Sequence, residues 1–246
     1  MTGRSSILVA AALLVAATVL HILHAVVFRQ ARDTVFYMTL DIAFLPLNVL
    51  FVTLVLDQVL TARERKERQR KLNMVIGAFF SSTGYDLLRR LAPVAEERRD
   101  IAEHLALDLT WDGPRIRRAI AWCQGRTFTM RPEPAALAEL RQFLLDQRPF
   151  LLNMLENPLL LEHEVFTDVL WAVSHLSEEL IARQDVTSLP SADLKHLAGD
   201  LERAYTRLQV QWLHYMIHLR QDYPYLYSFA ARTNPLRPGA RVEIEE

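Results

Sequence analysis

His21 and His24 stand three residues apart near the end of an apolar run that begins at Ser5, and Asp41, Pro46, Asn48 and Asp57 interrupt a second run from Val35 to Leu60. Imidazoles at that spacing share a helix face. Folding the chain back about Arg32 sets His24 opposite about residue 40 and His21 opposite about residue 43, at 1.5 Å rise per residue, so Asp41 falls at the depth of both. A carboxylate there would lower the cost of each imidazole, and the protonation of the pair would follow the outside pH. Asn48 lies two turns along the same face as Asp41, and Pro46 leaves the Ile42 carbonyl without its helical donor. His21, His24, Asp41 and Asn48 are therefore the candidate intramembrane polar group. One reading is a proton-sensing or ion-lining site facing the centre of an oligomer. The other is a polar clasp that sets the register of a hairpin. Two imidazoles and one carboxylate are a thin ligand set, and no metal is assigned to them.

A second concentration of chemistry lies far along the chain. On a 100° wheel, Glu164, Asp168, His175, Glu178 and Glu179 share one side of a helix read over about 159–183, with Trp171 among them, while Val165, Val169, Val173, Leu176 and Leu180 share the other. Di-iron bundles use Glu-x-x-His on inward faces. Here His175 precedes Glu178, no Glu-x-x-His answers on another helix, and the acidic side lies opposite the apolar side. These six residues read as a solvated face and a candidate partner surface, with Trp171 as its anchor. No catalytic, cofactor or metal residue is assigned. Glycine-rich phosphate loops, G-x-S-x-G and a cysteine–histidine context are all lacking.

The elements that must position these groups begin with the two apolar runs. Each exceeds the roughly 20 residues a helix needs to cross hydrocarbon. Asp41 and Asp57 are 16 residues apart, about 24 Å of helix against about 30 Å of hydrocarbon, so both cannot rest in the headgroups of an upright helix. Asp57 is assigned to the interface and Asp41 to shallow burial. Directly after the second run come Arg63, Arg65, Lys66, Arg68, Arg70 and Lys71, with only Glu64 and Glu67 opposing them. Such clusters stay cytoplasmic and attract anionic lipid headgroups. The link Arg29–Thr34 is read as a short external turn, which places both termini in the cytoplasm and the protein in the inner (cytoplasmic) membrane.

Beyond the basic run the chain reads as helical throughout. It has only 7 glycines in 246 residues, no Asn-Gly, an Asp-Gly at Asp112-Gly113 that Pro114 turns into a helix start, and one cysteine, Cys123, too few for a disulfide or a zinc pair. Leu72, Ile76, Phe79, Leu87 and Leu91 keep helical spacing. Asp112 caps a helix to about Gly125; Pro132 and Pro134 open another to about Gln147; Ser191 caps a long one to about Asp222. The last carries a seam of Leu194, Leu197, Leu201, Tyr205, Leu208, Trp212, Tyr215 and Leu219, while His196, His214 and His218 add little. Tyr223–Tyr227 either packs on the bundle or rests on the membrane, and the tail from Asn234 reads as mobile. The fold class is all-α: a transmembrane hairpin (1–62), a basic juxtamembrane helix (63–91), a cytoplasmic helical domain (92–233) and a tail (234–246).

The stretches Asp41–Leu54, Lys71–Phe80, Leu155–Leu180 and Tyr223–Pro235 resemble a family of uncharacterised prokaryotic two-span membrane proteins. The resemblance runs from the second span to near the C terminus and implies a membrane protein with a helical domain, but no activity. A net charge of −1 gives no basis for binding nucleic acid. The expected function is a non-enzymatic interaction or signalling module in the lipid bilayer, homo-oligomeric, with a cytoplasmic protein partner. A small ion channel built from several hairpins is the alternative, since two spans cannot enclose a pore alone.

Overall fold

The computed structural model describes residues 3–28, 31–160 and 163–243. Arg29 and Gln30, in the expected external turn, and Leu161 and Glu162 lie outside the described residues. The chain divides into two compact units, Met1–Lys66 and Glu67–Glu246. Among the described residues no strand forms; the single β-bridge joins Ala95 and Met130.

In the first unit lie α1 (Gly3–Phe28) and most of α2 (Ala31–Phe79). From Val35 to Leu60 the large apolar side chains of α2 are all open, from 41% at Leu40 to 69% at Phe51. Among the described residues α2 is the one helix long and apolar enough to cross a membrane, and α1 contributes the shorter apolar run Ala11–Val27. The hydroxyls in these runs bond back within their own helix, Thr18 to the Leu14 carbonyl at 2.8 Å and Thr39 to the Val35 carbonyl at 2.9 Å. That bond to the carbonyl four residues back satisfies each hydroxyl within its own helix.

In the second unit the end of α2 enters a core. Leu72, Ile76, Phe79 and Phe80 are buried while Met74 is open, as an amphipathic spacing requires. A π turn, Phe80–Gly84, leads into α3 (Tyr85–Leu91). Gly84 permits it, because a Cβ there would lie 2.5 Å from Phe80 Cδ1. Buried Thr83 donates to Gln147 Oε1 at 2.7 Å. The helices α4 (Arg98–Leu105), α5 (Gly113–Gln124), α6 (Pro134–Leu155), α7 (Glu164–Ala182), α8 (Ser191–Asp222) and α9 (Pro224–Arg232) follow. The central element is α8, packed on α7, α5, α9 and α3, with α6 on the far side of α7. Its seam is inward: Leu197, Leu201, Tyr205, Leu208, Trp212 and Leu219 are buried, while Leu194 and Tyr215 are partly so.

Several expected boundaries move. Helix α6 continues past Gln147 and through Pro149 to Leu155. Proline costs a helix the donor to the carbonyl four residues back, and that residue, Leu145, is on the open side at 38% exposure. Helix α7 starts at Glu164 rather than near Leu159, because Asn157 turns the chain by accepting from the Leu159 amide at 3.1 Å and His163 Nδ1 then caps the helix from Phe166. Ser191 is the first residue of α8 and makes no capping bond. Val165 is 48% exposed, whereas Phe166 and Leu170 are buried in its place. The tail is not free at its start: Asn234 is fully buried and donates to the Leu105 carbonyl at 2.8 Å, and Leu236 is buried after it. Tyr223–Tyr227 joins the bundle, with the Tyr227 hydroxyl donating to the Asp108 carbonyl at 3.0 Å.

Candidate functional site

Helices α7 and α8 are consecutive and joined by a short turn, and their contacting residues run in opposite order, so they form an antiparallel pair. The turn is stiffened by Asp185, which accepts from the Thr187 amide (2.8 Å), the Thr187 hydroxyl (2.6 Å) and the Ser188 hydroxyl (2.6 Å). Those bonds hold its carboxyl down at about 2, the Ser188 hydroxyl contributing most. Beside it, the Arg183 guanidinium grips both oxygens of Asp193, at 2.8 and 2.6 Å, and Glu179 Oε2 at 2.7 Å. It also donates to the Glu179 carbonyl. The Glu179 and Asp193 carboxyls are held below the usual carboxylate range, in each case chiefly by the Arg183 hydrogen bond.

This clamp brings two histidine–acid pairs face to face. His175 and Glu179 are four residues apart on α7, as are His196 and Asp200 on α8, so each pair shares a helix face. His175 Nε2 lies 3.6 Å from Asp200 Oδ1 and 4.0 Å from Glu179 Oε1. His196 Nε2 lies 3.3 Å from Asp200 Oδ2 and 3.5 Å from Glu179 Oε2. Ligating atoms of His175, Glu179 and Asp200 all fall within 4.8 Å of one another. Asp200 is 3% exposed, and Arg203 holds its Oδ1 at 2.6 Å. Its Oδ2 is buried without a hydrogen bond. The two imidazoles are about half exposed, so the site opens to solvent on one side.

The expected acidic face is therefore divided. Glu164, Asp168, Trp171 and Glu178 are exposed, Trp171 by 60%, as a solvated face would be. His175 and Glu179 turn instead toward α8. Among the described residues no Glu-x-x-His faces them from another helix, but His196 and Asp200 of α8 do. Sequence reading noticed the His175–Glu178 spacing but not the His175–Glu179 one, and set His196 aside. A repeated His-x-x-x-acid pattern on consecutive helices was the signal available.

The remaining candidates are placed as follows. His21 and His24 are half-buried on α1, and Asp41 and Asn48 are exposed on α2. Among the described residues Asp41 has no hydrogen-bond or ion-pair partner. Arg63, Arg65, Lys66, Arg68, Arg70 and Lys71 are exposed on α2, and Lys71 pairs with Glu67 at 2.9 Å. Within the second unit, Gln69, Asn73, His163, Gln211, His214 and His218 line a cleft of about 350 Å³. His218 Nδ1 lies 2.8 Å from Asp222 Oδ2 and 3.0 Å from Asn73 Nδ2. Burial, and then the neighbouring His163, hold His214 below the ordinary imidazole value.

Comparison with known proteins gives a family without an assigned activity. A family model described as the N-terminal helical domain of MJ1433 matches residues 2–60, and one described as the C-terminal helical domain of the uncharacterized protein MJ1433 matches residues 68–232. The uncharacterized protein MJ1433 of Methanocaldococcus jannaschii is 37% identical over 243 residues, covering 99% of this chain and 97% of that protein. No solved structure matches. With both helical domains matched and nearly its whole length aligned, the chain belongs to the MJ1433 family.

Proposed function

We propose that the protein is a non-enzymatic, membrane-anchored interaction and signalling module. In this reading α1 and the apolar part of α2 cross the inner membrane as a hairpin, and the helical domain meets a cytoplasmic protein partner. The observation that carries the reading is α2. Its apolar side chains from Val35 to Leu60 are uncovered, and each large one left in water forgoes about 1.5–3 kcal/mol of burial. Lipid covers such a surface at no cost in specific contacts. The basic run that follows supports a cytoplasmic end and contact with anionic headgroups. Alkaline carbonate extraction and protease protection test this. The chain is expected in the membrane pellet, with a C-terminal tag cleaved only after the inner face is opened. Release by carbonate, or cleavage of the tag on intact cells, overturns it.

Asp41 supports an oligomer. A carboxylate costs at least about 2.5–3.5 kcal/mol at the bilayer centre and less at the shallow depth assigned to Asp41, and a second copy offers the partner that the described residues of this chain do not. The exposure of Asp41 and Asn48 on the same helix keeps a homo-oligomeric channel as the second reading. Planar-bilayer recording separates the two: conductance that changes in Asp41→Asn favours the channel, and silence at every pH removes it.

A further inference from the structure

We propose that His175, Glu179 and Asp200, with His196 as the fourth group, form a divalent transition-metal site that joins α7 to α8. All four lie within Glu67–Glu246, so the inference stands apart from where the rest of the chain sits.

The donor set comes first. Two imidazole nitrogens and two carboxylate oxygens suit zinc, iron(II), manganese or cobalt(II), whereas calcium and magnesium favour all-oxygen shells and copper(I) favours thiolates. Spacing comes second. Metal–ligand bonds of about 2.0–2.2 Å in a tetrahedral arrangement put neighbouring ligand atoms about 3.4 Å apart. The nitrogen–oxygen separations here are 3.3, 3.5, 3.6 and 4.0 Å. His175 meets Glu179 Oε1 and Asp200 Oδ1 while His196 meets the other oxygen of each acid, and ligand atoms of His175, Glu179 and Asp200 fall within 4.8 Å of one another, so these three close on an ion first and His196 joins by turning its side chain.

Asp200 supplies an independent observation. A carboxylate that is 97% removed from solvent needs its oxygens satisfied, because burying an unpaired charge is expensive. Arg203 satisfies Oδ1, while Oδ2 makes no hydrogen bond and points toward His196. A cation between Oδ2 and the imidazoles completes it. The charge balance agrees. Glu179, Asp193 and Asp200 face the guanidiniums of Arg183 and Arg203, so one negative charge is left over among these groups.

Outer contacts are also in place. Arg183 fixes Glu179 and Arg203 fixes Asp200, the role that hydrogen-bonded partners of metal carboxylates perform. Protonated histidines could instead form simple ion pairs with the same two acids. That network would take up no metal.

The test uses the full chain in mild detergent, purified on an affinity tag free of histidine, stripped with chelator and titrated separately with Zn²⁺, Mn²⁺ and Co²⁺ at pH 7.5. One equivalent per chain, with a thermal midpoint that rises with metal concentration, is the expected result. Cobalt should give the visible absorption of a four- or five-coordinate site. His175→Ala and Glu179→Gln should each weaken binding by about tenfold or more, and Arg203→Gln by about tenfold. Both first positions are at least partly exposed, so circular dichroism should show these variants folded, which is why they are preferred to Asp200→Asn at a buried position. His218→Ala, in the separate cleft, should leave stoichiometry and affinity unchanged. Substoichiometric metal in the parent, or one equivalent that survives both His175→Ala and Glu179→Gln, overturns the proposal.

Discussion

Arg183 holds the beginning of the α7–α8 turn to its end, and its effect on stability follows from the two acids it binds. Glu179 and Asp193 have folded pKa values lowered chiefly by this guanidinium. Their stabilising contribution is complete above the unfolded values, about 4.3 and 3.9, and is lost as pH falls through the lowered folded values. The thermal midpoint should therefore fall more steeply below about pH 5 in the parent than in Arg183→Gln. Parallel curves would show that the pairs contribute nothing. Cys123 makes a second prediction: it is fully buried, and burial pushes its thiol up to about 12. Iodoacetamide should label it only at the rate of unfolding; rapid labelling of folded protein would contradict this. At this scale sequence reading succeeded where the partner is local. Asp112 was read as a cap, and its side chain accepts from the Arg115 amide at 2.8 Å. It failed where the partner is distant. His196 and Asp200 gain meaning only from the register of two packed helices, which no spacing within one helix contains.

Elements were legible where apolar period and a terminus signal agreed, as in α5, in the C-terminal end of α8 and in the buried set Leu72, Ile76, Phe79, Leu87 and Leu91. They were misread where tertiary packing overrides a local breaker. Pro149 stays helical because Leu140 and Leu144 before it and Leu151 and Met154 after it are buried in the core, and packing outweighs the roughly 3 kcal/mol that proline costs a helix. The tail was read as mobile from its prolines and charges, yet one buried amide anchors it. Asn234 Nδ2 reaches the Leu105 carbonyl at 2.8 Å and the Leu107 carbonyl at 3.3 Å, just past the end of α4. Asn234→Ala should remove both bonds and leave the buried Leu236 amide, which donates to Asn234 Oδ1 at 2.9 Å, without that acceptor, at a cost of about 1–3 kcal/mol. Chemical denaturation measures this directly; an unchanged midpoint would show that the tail is not held there. Gly84→Ala tests the π turn in the same assay. The new methyl would meet the buried Phe80 ring, itself stacked on Tyr215 at 5.3 Å, so overpacking should cost about 1–3 kcal/mol.

At the scale of the whole chain, the two units differ in what they leave uncovered. In Met1–Lys66 the apolar side chains of α2 are open along its length, whereas in Glu67–Glu246 the large apolar residues close into one core with only scattered exceptions such as Met74, Trp171 and Tyr225. A domain of that size with a continuous core carries enough buried apolar surface to fold unaided, and isolated exposed apolar residues are ordinary. The apolar length of α2 has no such outlet in water, where contiguous apolar patches beyond a few hundred Å² drive association. Separating the chain between Lys66 and Glu67 should therefore separate the behaviours. The fragment Glu67–Glu246 should stay soluble without detergent, with helical circular dichroism and a single cooperative unfolding transition, while the full chain should need detergent or lipid. Aggregation of the fragment, or gradual melting, would mean that its core depends on the first unit. A full chain that is monodisperse in plain buffer would remove the reason for placing α2 in a bilayer. The basic residues sharpen the outcome, since each Lys or Arg near an anionic surface contributes about 1 kcal/mol before salt screens it. Arg68, Arg70 and Lys71 remain in the fragment with Glu67 opposing them, too few for firm attachment. The fragment should bind phosphatidylserine vesicles weakly at low salt and release at 0.5 M salt, whereas the full chain should remain with the vesicles throughout.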